Sequence, residues 1–192
     1  MTMVDSNTFG KAALDSLHKG RTNAGPGLLF LDCDDVICVG EPYGGYDLIG
    51  NNRPDDLFDK LWHPPATQTL LRILEELAPQ VVMTTSWLRF MERDGFDALF
   101  RRTGLELVAN LLHPKWEAPA DRGMSRHDSI QRWLLTNYAS EPVVILDDEL
   151  SGTGLRGSKL DRLECVVWCG VGVGLHDGHF QQVRRALSGG TT

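Results

Sequence analysis

Apolar and polar positions along this chain sort into two kinds of segment. The first is a short, unbroken apolar run, as in Leu28-Leu29-Phe30-Leu31, Val81-Val82-Met83 and Val143-Val144-Ile145-Leu146. Runs without polar alternation read as strands buried on both faces, the pattern of a parallel sheet. The second kind carries apolar residues three and four positions apart. Leu70, Leu71, Ile73, Leu74 and Leu77 do so behind Pro64-Pro65, a pair that suits a first helical turn. The spacing predicts strands over 28–32, 81–85, 105–109, 143–146 and 165–168. It predicts helices over 65–77, 87–92, 95–102, 126–138 and 179–187, the last ending before Gly189-Gly190. Strands alternating with helices imply an α/β fold, a three-layer α/β/α sandwich around a mostly parallel, Rossmann-like sheet.

The segments between these elements carry less information. Residues 1–26 read as an N-terminal extension, with a short helix over 9–17 and a Gly/Asn/Pro-rich linker, leaving 27–190 as the domain. Residues 36–55 hold Glu41-Pro42-Tyr43-Gly44-Gly45-Tyr46 and read as turns or a hairpin flap; 113–123 is a loop rich in Pro and charge.

A length of 192 residues suffices for one domain with a proper core. The net charge of −7 argues against a strong nonspecific grip on nucleic acid, although Arg89, Arg93, Arg101, Arg102, Arg122, Arg126 and Arg132 gather in the middle third. The four cysteines, Cys33, Cys38, Cys165 and Cys169, form no C-x-x-C pair and read as reduced. No apolar run reaches about 18 residues and no signal peptide is recognised, so no membrane span is expected and the expected location is cytoplasmic.

The chemistry sits at the ends of three apolar runs. Asp32-Cys33-Asp34 follows the first, Thr84-Thr85-Ser86-Trp87 the second, and Asp147-Asp148 the third. Open α/β sheets bind ligands outside the carboxyl ends of their strands, so these residues converge on one crevice. Alternation along the first strand would put Asp32 and Asp34 on one side. Carboxylates that close repel unless a cation lies between them, and hard cations such as Mg2+ prefer oxygen ligands. Acids together with a hydroxyl donor point to a phosphoryl oxyanion held beside a metal.

In these motifs the chain resembles the haloacid dehalogenase-like (HAD) superfamily of phosphotransferases. Asp32-Cys33-Asp34-Asp35-Val36 matches the first motif, Thr85 the second (with Thr84 and Ser86 as register alternatives) and Asp147-Asp148 the fourth. The departure is the third motif, which normally supplies a Lys. Arg126 opens Arg126-His127-Asp128-Ser129-Ile130-Gln131-Arg132-Trp133-Leu134, a segment similar to a helix of the small HAD subgroup found in RNA-repair (Swiss Army Knife) proteins. Trp87 and Gly174-Leu175 fit the same subgroup.

The resemblance implies strand order 5-4-1-2-3. It also raises the question of a cap domain between the first two motifs, but the roughly 50 residues there are too few for one with its own core, so a cap-less domain or a minimal flap is expected. It implies Asp32 as nucleophile, Asp34 as general acid and base, Thr85 as donor to the phosphoryl group, and Asp32, Asp34 (its backbone carbonyl facing the metal), Asp148 and Asp147 around Mg2+, with Asp147 also orienting the third-motif cation. Arg126 would take the third-motif role, with Arg122 the close alternative and Lys115 the outsider. Thr84, Ser86, Trp87 and Arg122 are candidate substrate contacts; Trp87 either stacks on a base or packs under the adjoining helix. His127, His176 and His179 read as surface or loop residues. The implied partner is a phosphorylated substrate: a nucleic-acid end, a nucleotide or a small phosphometabolite. The competing function is a domain that keeps the fold as a binding or regulatory module, for which the missing Lys speaks and the intact first-motif acids do not.

Overall fold

The first apolar run is fully inaccessible: Leu28, Leu29, Phe30 and Leu31 are all buried in the computed structural model, which describes residues 26–188. The expected extension helix over 9–17, the linker and the boundary at 190 lie outside the described residues. The run is strand β1 (Leu28–Leu31), the centre of a five-stranded sheet with β2 (Gln80–Met83), β3 (Leu112–Glu117), β4 (Val143–Asp148) and β5 (Val166–Cys169). The order is β3-β2-β1-β4-β5, the expected order read from the other edge, and every pairing is parallel.

Register decides what the strands deliver. Leu31 lies level with Met83 on one side and Leu146 on the other. One residue further along, Asp32 N donates to Leu146 O at 3.1 Å and Thr84 N to Leu31 O at 2.9 Å. Asp32, Thr84 and Asp147 therefore leave the sheet at one level. By alternation they share the face of Phe30, Val82 and Ile145, which packs against Ile130, Trp133 and Leu134 of a long helix. The opposite face, with Leu29, Leu31, Val81, Met83 and Leu146, forms the larger core.

The helices are α1 (Leu57–Lys60), α2 (Pro64–Leu77), α3 (Arg93–Arg102), α4 (Glu106–Asn110), α5 (Arg126–Asn137), α6 (Lys159–Arg162) and α7 (Phe180–Leu187). The stripe read in 65–77 is realised: Leu70, Ile73 and Leu74 are buried. Between β1 and β2 the chain builds turns, a 3-10 helix (Gly45–Leu48), α1 and α2. Leu48, Leu57, Leu61 and Trp62 from this stretch join the main core, so among the described residues no separate cap with its own core lies between β1 and β2.

Two expectations need correction. The third strand is not 105–109 but Leu112–Glu117. Leu105, Val108 and Ala109 are buried at helical spacing and belong to α4 and its start. The true strand escapes a search for apolar runs because it lies on an edge, where only Leu112 and Trp116 are buried and Pro114 is tolerated. The helical stretch read over 87–92 is a 3-10 helix over Ser86–Arg89, and of turns or a hairpin flap the stretch 36–55 takes the turns. His179 is buried, its ring 3.9 Å from that of exposed His176, as part of the cap that starts α7.

All four cysteines are buried outside any disulfide, and no helix among the described residues is long and apolar enough to cross a membrane.

Burial on both faces makes β1 sensitive to truncation. Phe30 meets Trp133 edge-on at 5.2 Å between ring centroids. Phe30→Ala is expected to lose about 3–5 kcal/mol in urea unfolding, through lost burial and a cavity under α5.

Candidate active site

Asp32, Asp147 and Asp148 each place a carboxylate oxygen within 4.8 Å of the others, and all three are buried. Their geometry follows from strands β1 and β4 running side by side and ending together. Local backbone fixes them further. Cys33 N donates to Asp32 Oδ1 at 2.8 Å, and Asp148 N to Asp147 Oδ1 at 3.0 Å. In the turn after β4, Leu150 N and Ser151 N donate to Asp148 Oδ1 at 2.6 and 3.1 Å.

Ser151 was not singled out in the sequence, yet it sits at the centre. Its Oγ lies 2.6 Å from Asp32 Oδ2 and 2.8 Å from Asp147 Oδ1, and also contacts Asp148 Oδ2. A hydroxyl has one hydrogen and satisfies one carboxylate at a time. The available signal was a hydroxyl three residues beyond the acid pair, in the turn that any Asp at a strand end tends to build.

The positive charge in this group is Arg126, about one-tenth exposed. It places Nη2 3.0 Å from Asp32 Oδ2 and Nε 2.8 Å from Asp147 Oδ2. The second contact is an ion pair without hydrogen-bond alignment. The helix start is built to hold it. Ser125 caps α5 by accepting from Asp128 N at 3.1 Å. Arg126 N donates to Thr153 Oγ1 and His127 N to Thr153 O, both at 3.0 Å, locking the first turn to the loop after β4. Burial works against the Arg126 charge, but Asp32 and Asp147 raise its pKa and keep it cationic. Arg122 and Lys115 are both exposed, and neither joins the carboxylates.

Three carboxylates facing one guanidinium leave an excess of negative charge. Asp147 shows the result: burial pushes its pKa up to about 8, against the pull of Arg126 and with the push of Asp32. A divalent cation with oxygen preference relieves such an excess without protonation, so the donor set fits Mg2+.

Asp34 is elsewhere. The strand ends at Leu31, and Cys33 O accepts from Val36, Ile37 and Cys38 N, so Asp34 rides on a turn rather than alternating with Asp32. Its carboxylate receives Trp87 Nε1 at 3.1 and 3.0 Å and Ser86 Oγ at 3.2 Å, outside the three-acid group. Burial raises its pKa, opposed by the Trp87 and Ser86 donors. Trp87 is no open stacking platform. It is buried, stacked on Trp62 at 5.6 Å, and its indole N–H serves Asp34. Gly45 presses on that indole so closely that a Cβ there would lie 2.3 Å from Nε1.

A cleft of ≈ 480 Å³ opens beside these groups, lined by Thr84, Thr85, Ser86, Arg126 and Ser151 among others. The three hydroxyls offered by the second motif differ in employment. Thr85 Oγ1 accepts from Trp87 N at 3.3 Å, Ser86 Oγ serves Asp34, and Thr84 Oγ1 is buried without a partner.

A family model described as the HAD domain in Swiss Army Knife RNA repair proteins matches residues 28–180. Comparison with curated proteins and with solved structures gives no match.

Two measurements probe the charge balance. Arg126→Ala leaves buried carboxylates uncompensated and is expected to cost about 3–5 kcal/mol in urea unfolding at pH 7.5 with chelator, less at pH 5. Asp147 holds its proton to about pH 8 when folded but only to about pH 4 when unfolded, so metal-free stability falls as pH rises between those values. Asp147→Asn is expected to flatten that fall. In the unaltered protein, Mg2+ competes with the proton, so its effect on thermal midpoint grows over the same interval.

Proposed function

The chain belongs to the family of HAD domains found in Swiss Army Knife RNA repair proteins, and on that premise we propose that it is a Mg2+-dependent phosphomonoester hydrolase working through an aspartyl-phosphate. A HAD domain implies a phosphatase-type hydrolase and a phosphorylated substrate in general. The observation that carries the finer reading is the meeting of Asp32, Asp147, Asp148 and Arg126 in one buried group at the open end of the sheet.

Asp32 attacks phosphorus while the bond to the leaving oxygen breaks. Asp34 gives its proton to that oxygen, a role its raised pKa suits because the acid form persists further up the pH scale. In the second half Asp34 takes a proton from the attacking water, phosphate departs and Asp32 is restored. Arg126 neutralises charge on Asp32 and on the phosphoryl oxygens; its planar fork serves where the superfamily uses Lys. Thr84, with its unpartnered hydroxyl, is the readiest donor to the phosphoryl group, and Thr85 is second to it. Mg2+ held by Asp32, Asp148 and Asp147 would supply the neutralisation that lets an anionic nucleophile approach an anionic phosphate. Trp87 and Ser86 act through Asp34 as positioning residues. The open cleft and the family favour nucleic-acid ends or nucleotides as substrates.

An aryl phosphate assay tests this directly. Turnover is expected with Mg2+ and not with chelator, and Asp32→Asn is expected to abolish it. Asp34→Asn is expected to lower kcat by about 10²–10⁴-fold on substrates with poor leaving groups. The fall in kcat/KM at rising pH, as Asp34 loses its proton, is expected to vanish in that variant. Equal rates for wild type and Asp32→Asn would defeat the proposal.

A further inference from the structure

Next to the cleft lies a second hollow of ≈ 230 Å³, lined by Asp34, Gly45, Tyr46, Trp87, Arg89 and Phe90. We propose that this hollow receives the nucleobase of the nucleotide whose phosphate is removed, with Tyr46 and Phe90 as the stacking faces. The inference rests on the phosphatase reading for one step only: the leaving oxygen must face Asp34, so the leaving group extends into the space Asp34 lines.

Two aromatic side chains lining that space reach solvent. Tyr46 is 87% exposed and Phe90 36%. Aromatic faces hold bases of any identity, because every base has a π-face. An aliphatic phosphoester would leave both rings bare.

The backbone beneath the platform is fixed before any ligand arrives. Tyr46 belongs to the 3-10 helix Gly45–Leu48, whose start is closed by Gly44 N donating to Asp47 Oδ2 at 2.8 Å. Gly45 rests on the Trp87 indole without room for a side chain. Trp87 is stacked on Trp62 and lies 6.4 Å from Phe90. The backbone that carries Tyr46 therefore loses little freedom on binding.

Charge agrees with the assignment. Arg89 and Ser86 line both hollow and cleft, so a cation stands between the transferred phosphoryl group and the ring site. A sugar–phosphate chain running from one to the other passes that guanidinium.

Two readouts separate this proposal from the reading beneath it. The first needs no chemistry: single-stranded oligonucleotides lacking a terminal phosphate, with either an intact or an abasic terminal nucleotide, are titrated into the chain in chelator. The intact end is expected to bind on the order of tenfold tighter, and Tyr46→Ala to erase the difference. The exposure of Tyr46 makes the variant's fold checkable by an unchanged thermal midpoint. The second is turnover: the preference in kcat/KM for a terminally phosphorylated oligonucleotide over glycerol phosphate is expected to fall about tenfold in Tyr46→Ala, through KM. Equal binding of intact and abasic ends, discrimination that survives Tyr46→Ala, or preference for a phosphotyrosyl peptide would overturn the proposal. Base discrimination without turnover of any phosphoester would instead overturn the phosphatase reading and leave the hollow as a base-binding site.

Discussion

Two parallel strands that end side by side impose the central constraint of this molecule. β1 and β4 are buried along their lengths, so the acids that follow them are delivered into a space with little water to solvate them. Such a group survives only with compensating charge, and Arg126 provides part of it from the first turn of α5. The Ser125 cap, the Thr153 contacts and the packing of Trp133 and Ile130 on Phe30 all serve to bring one guanidinium to one point. The sheet face under α5 is thus both core and foundation of the site.

The opposite face contributes differently. Trp87 belongs to the larger core, yet its indole N–H ends on Asp34. The position of a group proposed to handle protons is therefore set by aromatic packing through Trp62 and by the absence of a side chain at Gly45. Arg126 acts through charge and Trp87 through shape, from opposite sides of the same strand end.

How much of this was legible depended on burial. Central strands announce themselves, because a segment covered on both faces must be apolar throughout; hence β1, β2 and β4, and the acids and hydroxyls after them, stood out. The edge strand Leu112–Glu117 has one side in water and a proline in it, so it read as a loop, while the compact turn of α4 took its place. Arg126 was found through its helix rather than through its charge. Ser151 and Gly45 were missed because a serine in a turn and a glycine in a flap are common, and only the three-dimensional crowding around them gives them meaning. The carboxylate of Asp34 does not join that of Asp32, because period-two alternation stops with the strand at Leu31 and Asp34 rides on the turn beyond it.

The polar edge strand has a consequence for how the domain keeps company. Pro114 withholds a backbone donor and Lys115 carries charge on a border that would otherwise invite another chain to extend the sheet. That border discourages runaway strand addition during synthesis and at high concentration. A unit with such a guarded flank can be joined to other modules on that side without this border becoming a template for strand addition.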